Sequence, residues 1–153
     1  MPNQLINKQQ GFTYIGLLIV IAIAGIGLAT IGELWQTEMQ REREKELLFI
    51  GKEYKQALKS YQENTHGGIR QLPNKLEDLL LDNRYPNIKH HIRKLYADPM
   101  TGKANWGLDM QQGGISGIYS ISEKKPLKKF GFDPNNNTFA DAKKYSDWKF
   151  SAI

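Results

Sequence analysis

The stretch 11-GFTYIGLLIVIAIAGIGLATIG-32 dominates the interpretation of this 153-residue chain. No charged residue occurs between Lys8 and Glu33, and only three residues between positions 12 and 31 are polar. A helix over residues 12–31 would be about 30 Å long at about 1.5 Å per residue, which matches the hydrocarbon core of a bilayer. A helix in a small soluble domain is rarely apolar on all sides over that length. The stretch therefore predicts a membrane-spanning helix.

The apolar stretch has two alternative fates, removal as a secretory signal or retention as an anchor. A secretory signal needs a basic start, a short apolar core and a small-x-small cleavage site, which Lys8 and the Ala-Ile-Ala of residues 22–24 supply. Cleavage after Ala24 would leave the apolar residues 25–32 at the start of the mature protein without a role, which favours retention of the whole stretch as an anchor. Because Lys8 precedes the stretch and Glu33 follows it ahead of Arg41, the start is predicted to be cytoplasmic and the remainder exported. This predicts a single-pass protein of the bacterial inner membrane with a periplasmic head.

The helix is predicted to continue well beyond the apolar stretch. No proline occurs between residues 12 and 72, and residues 33–63 are rich in good helix formers. Apolar residues recur there at three- and four-residue steps, which indicates one buried face of an amphipathic helix. They are Leu47, Ile50, Tyr54, Ala57, Leu58 and Tyr61. Gly67 and Gly68 are the predicted stop signal.

The remainder of the chain is predicted to form a small head. Residues 72–97 indicate two short helices broken at Pro86, and a turn region follows. The sequence GGISGIYSIS of residues 113–122 predicts a strand, and residues 130–132 and 147–153 are further strand candidates. The predicted fold class is α+β: a long N-terminal membrane-spanning helix that continues into a soluble head with a small antiparallel sheet.

Little in the sequence predicts chemistry. The chain has no cysteine, which excludes disulfides, thiolate metal sites and cysteine nucleophiles. His90 and His91 are adjacent, so on a helix they would point about 100° apart, and we predict that both lie on the surface. No nucleophile–base pair and no phosphate-binding loop is recognisable, so an enzyme is not expected. The net charge of +5 is scattered, and the basic cluster in residues 123–129 indicates a solvated loop, with a weak electrostatic contact to anionic lipid or nucleic acid as the alternative. No nucleic-acid partner is expected.

The sequence DPNNNTFAD of residues 133–141 is the sole candidate for a cofactor site. It resembles a stretched calcium loop but lacks the glycine and the closing glutamate of the helix-loop-helix motif. We expect a polar turn here, with calcium binding as the alternative, and no other cofactor is predicted. The four oxygen donors of the alternative are Asp133, Asn135, Asn137 and Asp141.

A short polar leader, a glycine, the apolar stretch and a long charged helix together resemble the type IV pilin superfamily. Gly11 matches the glycine that ends the leader in that family, and Phe12 matches the phenylalanine that follows it. The resemblance implies that a prepilin peptidase cleaves between Gly11 and Phe12 and that the new amino terminus of Phe12 is methylated. It implies a leader over residues 1–11, a transmembrane helix over 12–32, an amphipathic periplasmic half over 33–66 and a globular head over 67–153.

The head is similar to the major pseudopilin of type II secretion systems. The similarity rests on LLFIGKEYKQALKSYQENT (47–65), LPNKLEDLL (72–80) and LYADPMTGKANWGL (95–108). It implies a structural pseudopilin or minor pilin subunit that joins other pseudopilins or pilins in a filament. A platform of the secretion system in the inner membrane would assemble that filament to support protein secretion or a pilus.

Gly16 departs from the family pattern. The family usually has a glutamate here, which is thought to meet the methylated amine of the neighbouring subunit and set the register of assembly. Gly16 cannot do so, which favours a tip position over an abundant shaft position. Two alternatives stay open: a single-pass anchored periplasmic binding module that does not polymerise, and a periplasmic enzyme released by cleavage after Ala24.

Overall fold

The structure is a computed structural model that describes residues 10–65 and 71–152, without the side chains of residues 10–12, 27–34 and 135. The chain forms two compact units, one up to Met39 and one from Gln40 onward. The elements are helix α1 (Gln10–Glu63), a 3-10 helix (Leu76–Leu79), strands β1 (Gly107–Gln111) and β2 (Gly114–Tyr119), two further 3-10 helices (Pro134–Asp141 and Tyr145–Asp147), and strand β3 (Phe150–Ser151). The predicted combination of one long helix with a small antiparallel sheet is therefore present.

The prediction that α1 spans a membrane is wrong. In the part of the chain that the structure describes, no helix is both long enough and apolar enough to cross a bilayer. A spanning helix needs about 20 consecutive, predominantly apolar residues, whereas the described side chains of the apolar stretch cover only residues 13–26. The side chains of residues 12 and 27–31, which the prediction also counted, lie outside the described residues.

The apolar stripe of α1 forms one wall of the core in the second unit, as predicted. Leu47, Tyr54 and Leu58 are fully buried, and the other three residues of the stripe are at most 6% exposed. Burial of one such side chain stabilises the fold by about 1.5–3 kcal/mol. The opposite wall consists of aromatic and aliphatic residues from distant parts of the chain, which are Leu79, Ile92, Met100, Trp106, Ile115, Ile118, Phe139, Tyr145, Trp148 and Phe150.

Gly51 lets β3 approach α1 closely. A Cβ atom at this position would lie 2.4 Å from the ring of Phe150, which is itself 1% exposed. Real Cβ atoms do not approach a ring to that distance, so only glycine fits without a shift. The absence of a side chain at Gly51 therefore allows the last strand to pack against the helix.

The sheet has the order β1-β2-β3, and both pairs are antiparallel. β1 and β2 form a hairpin that closes through Gln112 and Gly113, whose φ angles are +48° and +82°. Two successive positive φ angles characterise the tight turn whose twist matches that of paired strands. The prediction of a strand over residues 113–122 is confirmed by β2, and β3 confirms the candidate at residues 147–153 in part. β1 was not predicted, and residues 130–132 form no strand.

Residues 72–97 differ from the prediction of two helices. They form one 3-10 turn at Leu76–Leu79 and otherwise irregular backbone. The carbonyl of Leu79 accepts hydrogen bonds from the amides of His91 at 2.8 Å and Ile92 at 3.2 Å, and the Asp82 amide donates to the carbonyl of Lys89 at 3.0 Å. The segment thus folds back on itself, and these backbone N–H and C=O groups form hydrogen bonds across the fold-back in place of the local hydrogen bonds of a helix.

Candidate functional site

The first unit contains an exposed apolar surface on α1. Its large hydrophobic side chains between residues 14 and 26 are all 47–69% exposed. Five of them are consecutive, from Leu17 to Ile21. Since successive helix residues point about 100° apart, these side chains occupy every side of the helix. The surface consists of Tyr14, Ile15, Leu17, Leu18, Ile19, Val20, Ile21, Ile23 and Ile26.

Such a surface indicates an interaction site. Contiguous exposed apolar area beyond a few hundred Å² is rare on monomeric proteins and marks sites of association. The buried hydrophobic core of the described residues begins at Leu47, so the apolar side chains of residues 14–26 do not contribute to it. We call residues 14–26 the apolar surface below.

Gly16 lies within the apolar surface. Apart from its chain neighbours and the adjacent backbone of α1, no described heavy atom lies within 4 Å of a Cβ atom built on it, and the same is true of Gly25. Packing within the described part of the chain therefore does not require glycine at position 16.

The predicted processing site is at the start of α1. Gly11 and Phe12 belong to the first turn of the helix, which begins at Gln10. The side chain of Phe12 and the whole of residues 1–9 lie outside the described residues. Cleavage between Gly11 and Phe12 and methylation of Phe12 stay predictions.

The candidate calcium residues lie on or next to the 3-10 helix Pro134–Asp141. Asp133 precedes this helix, and its carbonyl accepts a hydrogen bond from the Asn136 amide at 2.7 Å. Asp133, Asn137 and Asp141 are exposed, whereas the side chain of Asn135 lies outside the described residues. Among the described residues, no group of three or more His, Cys, Asp and Glu side chains is arranged to hold a metal ion. Calcium binding stays a prediction.

The structure brings together four polar residues at the end of α1 that the sequence did not connect. The carboxylate of Asp82 is fully buried and accepts hydrogen bonds from Arg84 Nε at 2.8 Å and Arg84 Nη2 at 2.7 Å. His91 Nε2 lies 3.1 Å from the same carboxylate, and His91 Nδ1 lies 2.9 Å from Ser60 Oγ. Arg84, and to a lesser extent His91, hold the pKa of Asp82 well below its usual range, against the effect of burial.

Arg84 links this network to the end of α1. Its Nη2 donates to the carbonyl of Tyr61 at 2.9 Å, and its Nη1 donates to Thr65 Oγ1 at 3.0 Å. The guanidinium carbon also lies 3.6 Å from the centre of the Tyr61 ring. The last carbonyls of a helix lack partners within it, and a cation near them is favourable. Asp82 therefore positions Arg84 to cap the helix, and Tyr61 provides an aromatic face for it.

Ser60, His91 and Asp82 have the residue types of a hydrolytic triad but not its accessibility. The His91 side chain is fully buried, and Ser60 Oγ also lies near Asn64 Nδ2 at 3.4 Å. The arrangement supports the helix end. The prediction of a surface position is wrong for His91, while His90 is exposed.

A second buried polar network joins α1 to residues 125, 127 and 145. Glu44 is 3% exposed, and its Oε1 accepts hydrogen bonds from Tyr145 Oη at 2.7 Å and from the amide of Leu127 at 2.6 Å. Gln40 Nε2 donates to Tyr145 Oη at 2.7 Å and to the carbonyl of Lys125 at 3.0 Å. Burial, together with the neighbouring Glu44 carboxylate, raises the pKa of Tyr145 above its ordinary value. The network fixes the basic segment 123–129 on α1.

Comparison of the chain with family models, with curated proteins and with solved structures finds no match.

Proposed function

We propose that this chain is a structural subunit of a pilin-like assembly, in which the apolar surfaces of several copies pack against one another. The observation that carries the proposal is the exposed apolar surface at residues 14–26. The sequence resemblance to pseudopilins and minor pilins, set out above, supplies the class of assembly.

The distribution of the apolar side chains favours several neighbours over a single one. One helix packed against another covers about one side, and side chains on the remaining sides stay exposed. Full burial of a large apolar side chain is worth about 1.5–3 kcal/mol, so each half-exposed side chain still has about 1 kcal/mol to gain. Nine such residues provide roughly 10 kcal/mol, which is comparable with the cost of association of about 4–15 kcal/mol. A bundle of identical helices realises most of this gain.

Single-cysteine crosslinking tests the assembly directly. The chain has no cysteine, so an introduced cysteine is its only thiol. Ile19→Cys and Ile23→Cys place thiols on the apolar surface, and Asn105→Cys, at an exposed turn of the head, is the matched control. With a short bis-maleimide in intact cells, we expect crosslinked dimers from the first two variants and little from the control. The double variant Ile19→Cys/Ile21→Cys, whose thiols point to nearly opposite sides of the helix, should give a ladder of higher species.

Two results would contradict the proposal. Equal crosslinking at Asn105→Cys would indicate random collision, and absence of crosslinks at both apolar positions would indicate a chain that does not polymerise. Polar replacement gives an independent readout. In a chain whose only thiol is introduced by Leu17→Cys, the additional replacements Ile19→Ser and Ile23→Ser should reduce crosslinking. The fluorescence of the tryptophans in the head should stay unchanged.

The processing step has its own test. Mass spectrometry of the mature chain is expected to give a methylated amino terminus at Phe12, and Gly11→Ala should prevent this maturation. An amino terminus at Gly25 would instead indicate a secretory signal and would overturn the assignment to the pilin class. Normal processing of Gly11→Ala would count against the same assignment.

A further inference from the structure

A groove of about 430 Å³ lies in the second unit, between α1 and residues 128–136. One wall consists of α1 residues between positions 48 and 59, and the other consists of residues between 128 and 136. Phe150 of β3 also lines it and is 1% exposed. The volume falls in the range of about 300–1,000 Å³ that is usual for small-molecule sites.

The groove combines positive charge with apolar walls. Four lysines line it and only one carboxylate does; the lysines are Lys52, Lys55, Lys59 and Lys128, and the carboxylate is Asp133. Its apolar lining is Leu48, Phe49, Phe132 and Phe150. The four lysine charges therefore share one cavity with three aromatic rings.

One aromatic wall of the groove is held by the core. The Phe132 ring packs edge-on against Phe139 at 5.9 Å and Trp148 at 5.4 Å between ring centres. Lys128 Nζ lies 5.0 Å from the centre of the Phe132 ring, so a cation is held beside an apolar face. On the opposite wall, Phe49 is 57% exposed, which leaves a large aromatic face open to a ligand.

We infer that this groove binds a small amphiphilic anion, a molecule with a carboxylate or similar headgroup and an apolar tail. The lysines would hold the headgroup, because a hydrogen bond to a charged group is stronger than one between neutral groups. The rings and Leu48 would cover the tail and remove its apolar surface from water. The inference goes beyond the proposed assembly, since the lining residues all belong to the second unit and none lies on the apolar surface.

Calorimetric titration of the full chain with decanoate, below its micelle concentration, tests the inference. Decyltrimethylammonium, which has the same tail and the opposite charge, corrects for tail binding elsewhere, including at residues 14–26. Decanoate should bind saturably with one site per chain, and decyltrimethylammonium should not compete for it. Acetate at the same concentration should not compete either, because it lacks the tail.

Two variants with the same change of net charge locate the site. Lys52→Gln/Lys55→Gln removes two lysines of the groove, and Lys103→Gln/Lys143→Gln removes two exposed lysines outside it. We expect the dissociation constant for decanoate to rise about tenfold or more in the first variant, because charge-assisted contacts are lost, and to stay unchanged in the second. Both variants should keep the wild-type circular dichroism, since three of these lysines are exposed and Lys55 is half-buried.

Several outcomes would overturn the inference. An equal loss of affinity in both variants would show a general effect of net charge. Competition by acetate would show a simple anion site, and equally tight binding of decyltrimethylammonium would show that the tail alone is recognised. Absence of saturable decanoate binding to the wild-type chain would refute the site outright. A chain that binds decanoate but fails to crosslink at Ile19→Cys would refute the assembly and leave the groove standing.

Discussion

Replacement of Asp82 by asparagine is expected to destabilise the second unit substantially. The Asp82 carboxylate accepts four hydrogen bonds, from the amide and Nε of Arg84 at Oδ1, and from Nη2 of Arg84 and Nε2 of His91 at Oδ2. An asparagine has one oxygen and one NH₂ group in place of the two oxygens. If the NH₂ group takes the Oδ1 position, it faces two donors of Arg84, and if it takes the Oδ2 position, it faces one Arg84 donor and His91 Nε2, which can accept only after a change of tautomer. The variant loses at least one hydrogen bond together with the charge that balances Arg84.

The magnitude follows from the burial of the pair. Removal of one partner from a buried ion pair costs about 3–5 kcal/mol, because the other charge is left without compensation. The Arg84 side chain is 23% exposed and recovers part of its hydration, so we expect a loss near the lower limit, about 3 kcal/mol. With a slope of about 1.5 kcal/mol per molar urea, which is usual for a small domain, the unfolding midpoint should fall by about 2 M.

Urea unfolding monitored by tryptophan emission measures this loss. Trp148 is fully buried and Trp106 is 6% exposed, so both report on the head. Asp141→Asn is the matched control, since it makes the same chemical change at an exposed position. A chelator removes any contribution from calcium. An unfolding free energy for Asp82→Asn within about 0.5 kcal/mol of wild type, the range of ordinary surface substitutions, would refute the capping role of this network.

The pH dependence of the unfolding free energy provides a second test of the role of Asp82. The folded-state pKa of Asp82 is depressed relative to its value of about 3.9 in the unfolded chain. The carboxylate therefore contributes stability that is fully present above the unfolded pKa and is lost as the pH falls toward the folded pKa. The difference between wild type and Asp82→Asn should be constant above about pH 5 and should shrink below about pH 4. A difference that persists unchanged at the lowest pH at which both proteins fold would contradict this account.

Two further substitutions test the packing of α1. Gly51→Ala should lower the unfolding free energy by about 1–3 kcal/mol, because the added methyl group overlaps the buried Phe150 ring. Gly16→Ala is the control: the space there is open, so this variant should raise the helix content slightly. If both variants changed the unfolding free energy equally, the steric argument for Gly51 would be refuted. Tyr145→Phe should cost about 1.5–3 kcal/mol in urea unfolding, because Glu44 loses one of its buried donors. A negligible cost for Tyr145→Phe, with Glu44→Gln equally neutral, would show that the second polar network does not stabilise the head.

The parts of the fold that the sequence predicted depend on local patterns. The stripe from Leu47 to Tyr61 was recognisable because one helix face repeats every three or four residues, and all six of its residues are buried as predicted. β2 was recognisable from isoleucines that follow a glycine pair. In both cases the residues that define the element are neighbours in the chain, so their spacing alone carries the information.

The parts that the sequence missed depend on contacts between distant residues. The segment 72–97 is rich in leucine and charged residues, which favours a helix, yet its backbone bonds cross a fold-back between Leu79 and residues 91–92. His91 is buried because Ser60 and Asp82 supply partners for both of its ring nitrogens. No local spacing indicates those partners, so a surface position was the expectation from the sequence alone.

Two parts of α1 differ in how their apolar residues are covered: one set is buried in the chain's own core, and the other is exposed and available for contact with another molecule. Between residues 47 and 61, the six residues of the apolar stripe occupy one face, most charged side chains lie on the other sides, and the head covers the stripe. Between residues 14 and 26, the apolar side chains occupy every side and stay about half exposed. A one-sided stripe needs one covering layer, which a small head can provide. An all-round apolar surface needs neighbours on every side, and a bundle of identical helices provides them with no additional protein. The change from a one-sided to an all-round pattern within a single helix is therefore the feature of this sequence that best supports association with further copies.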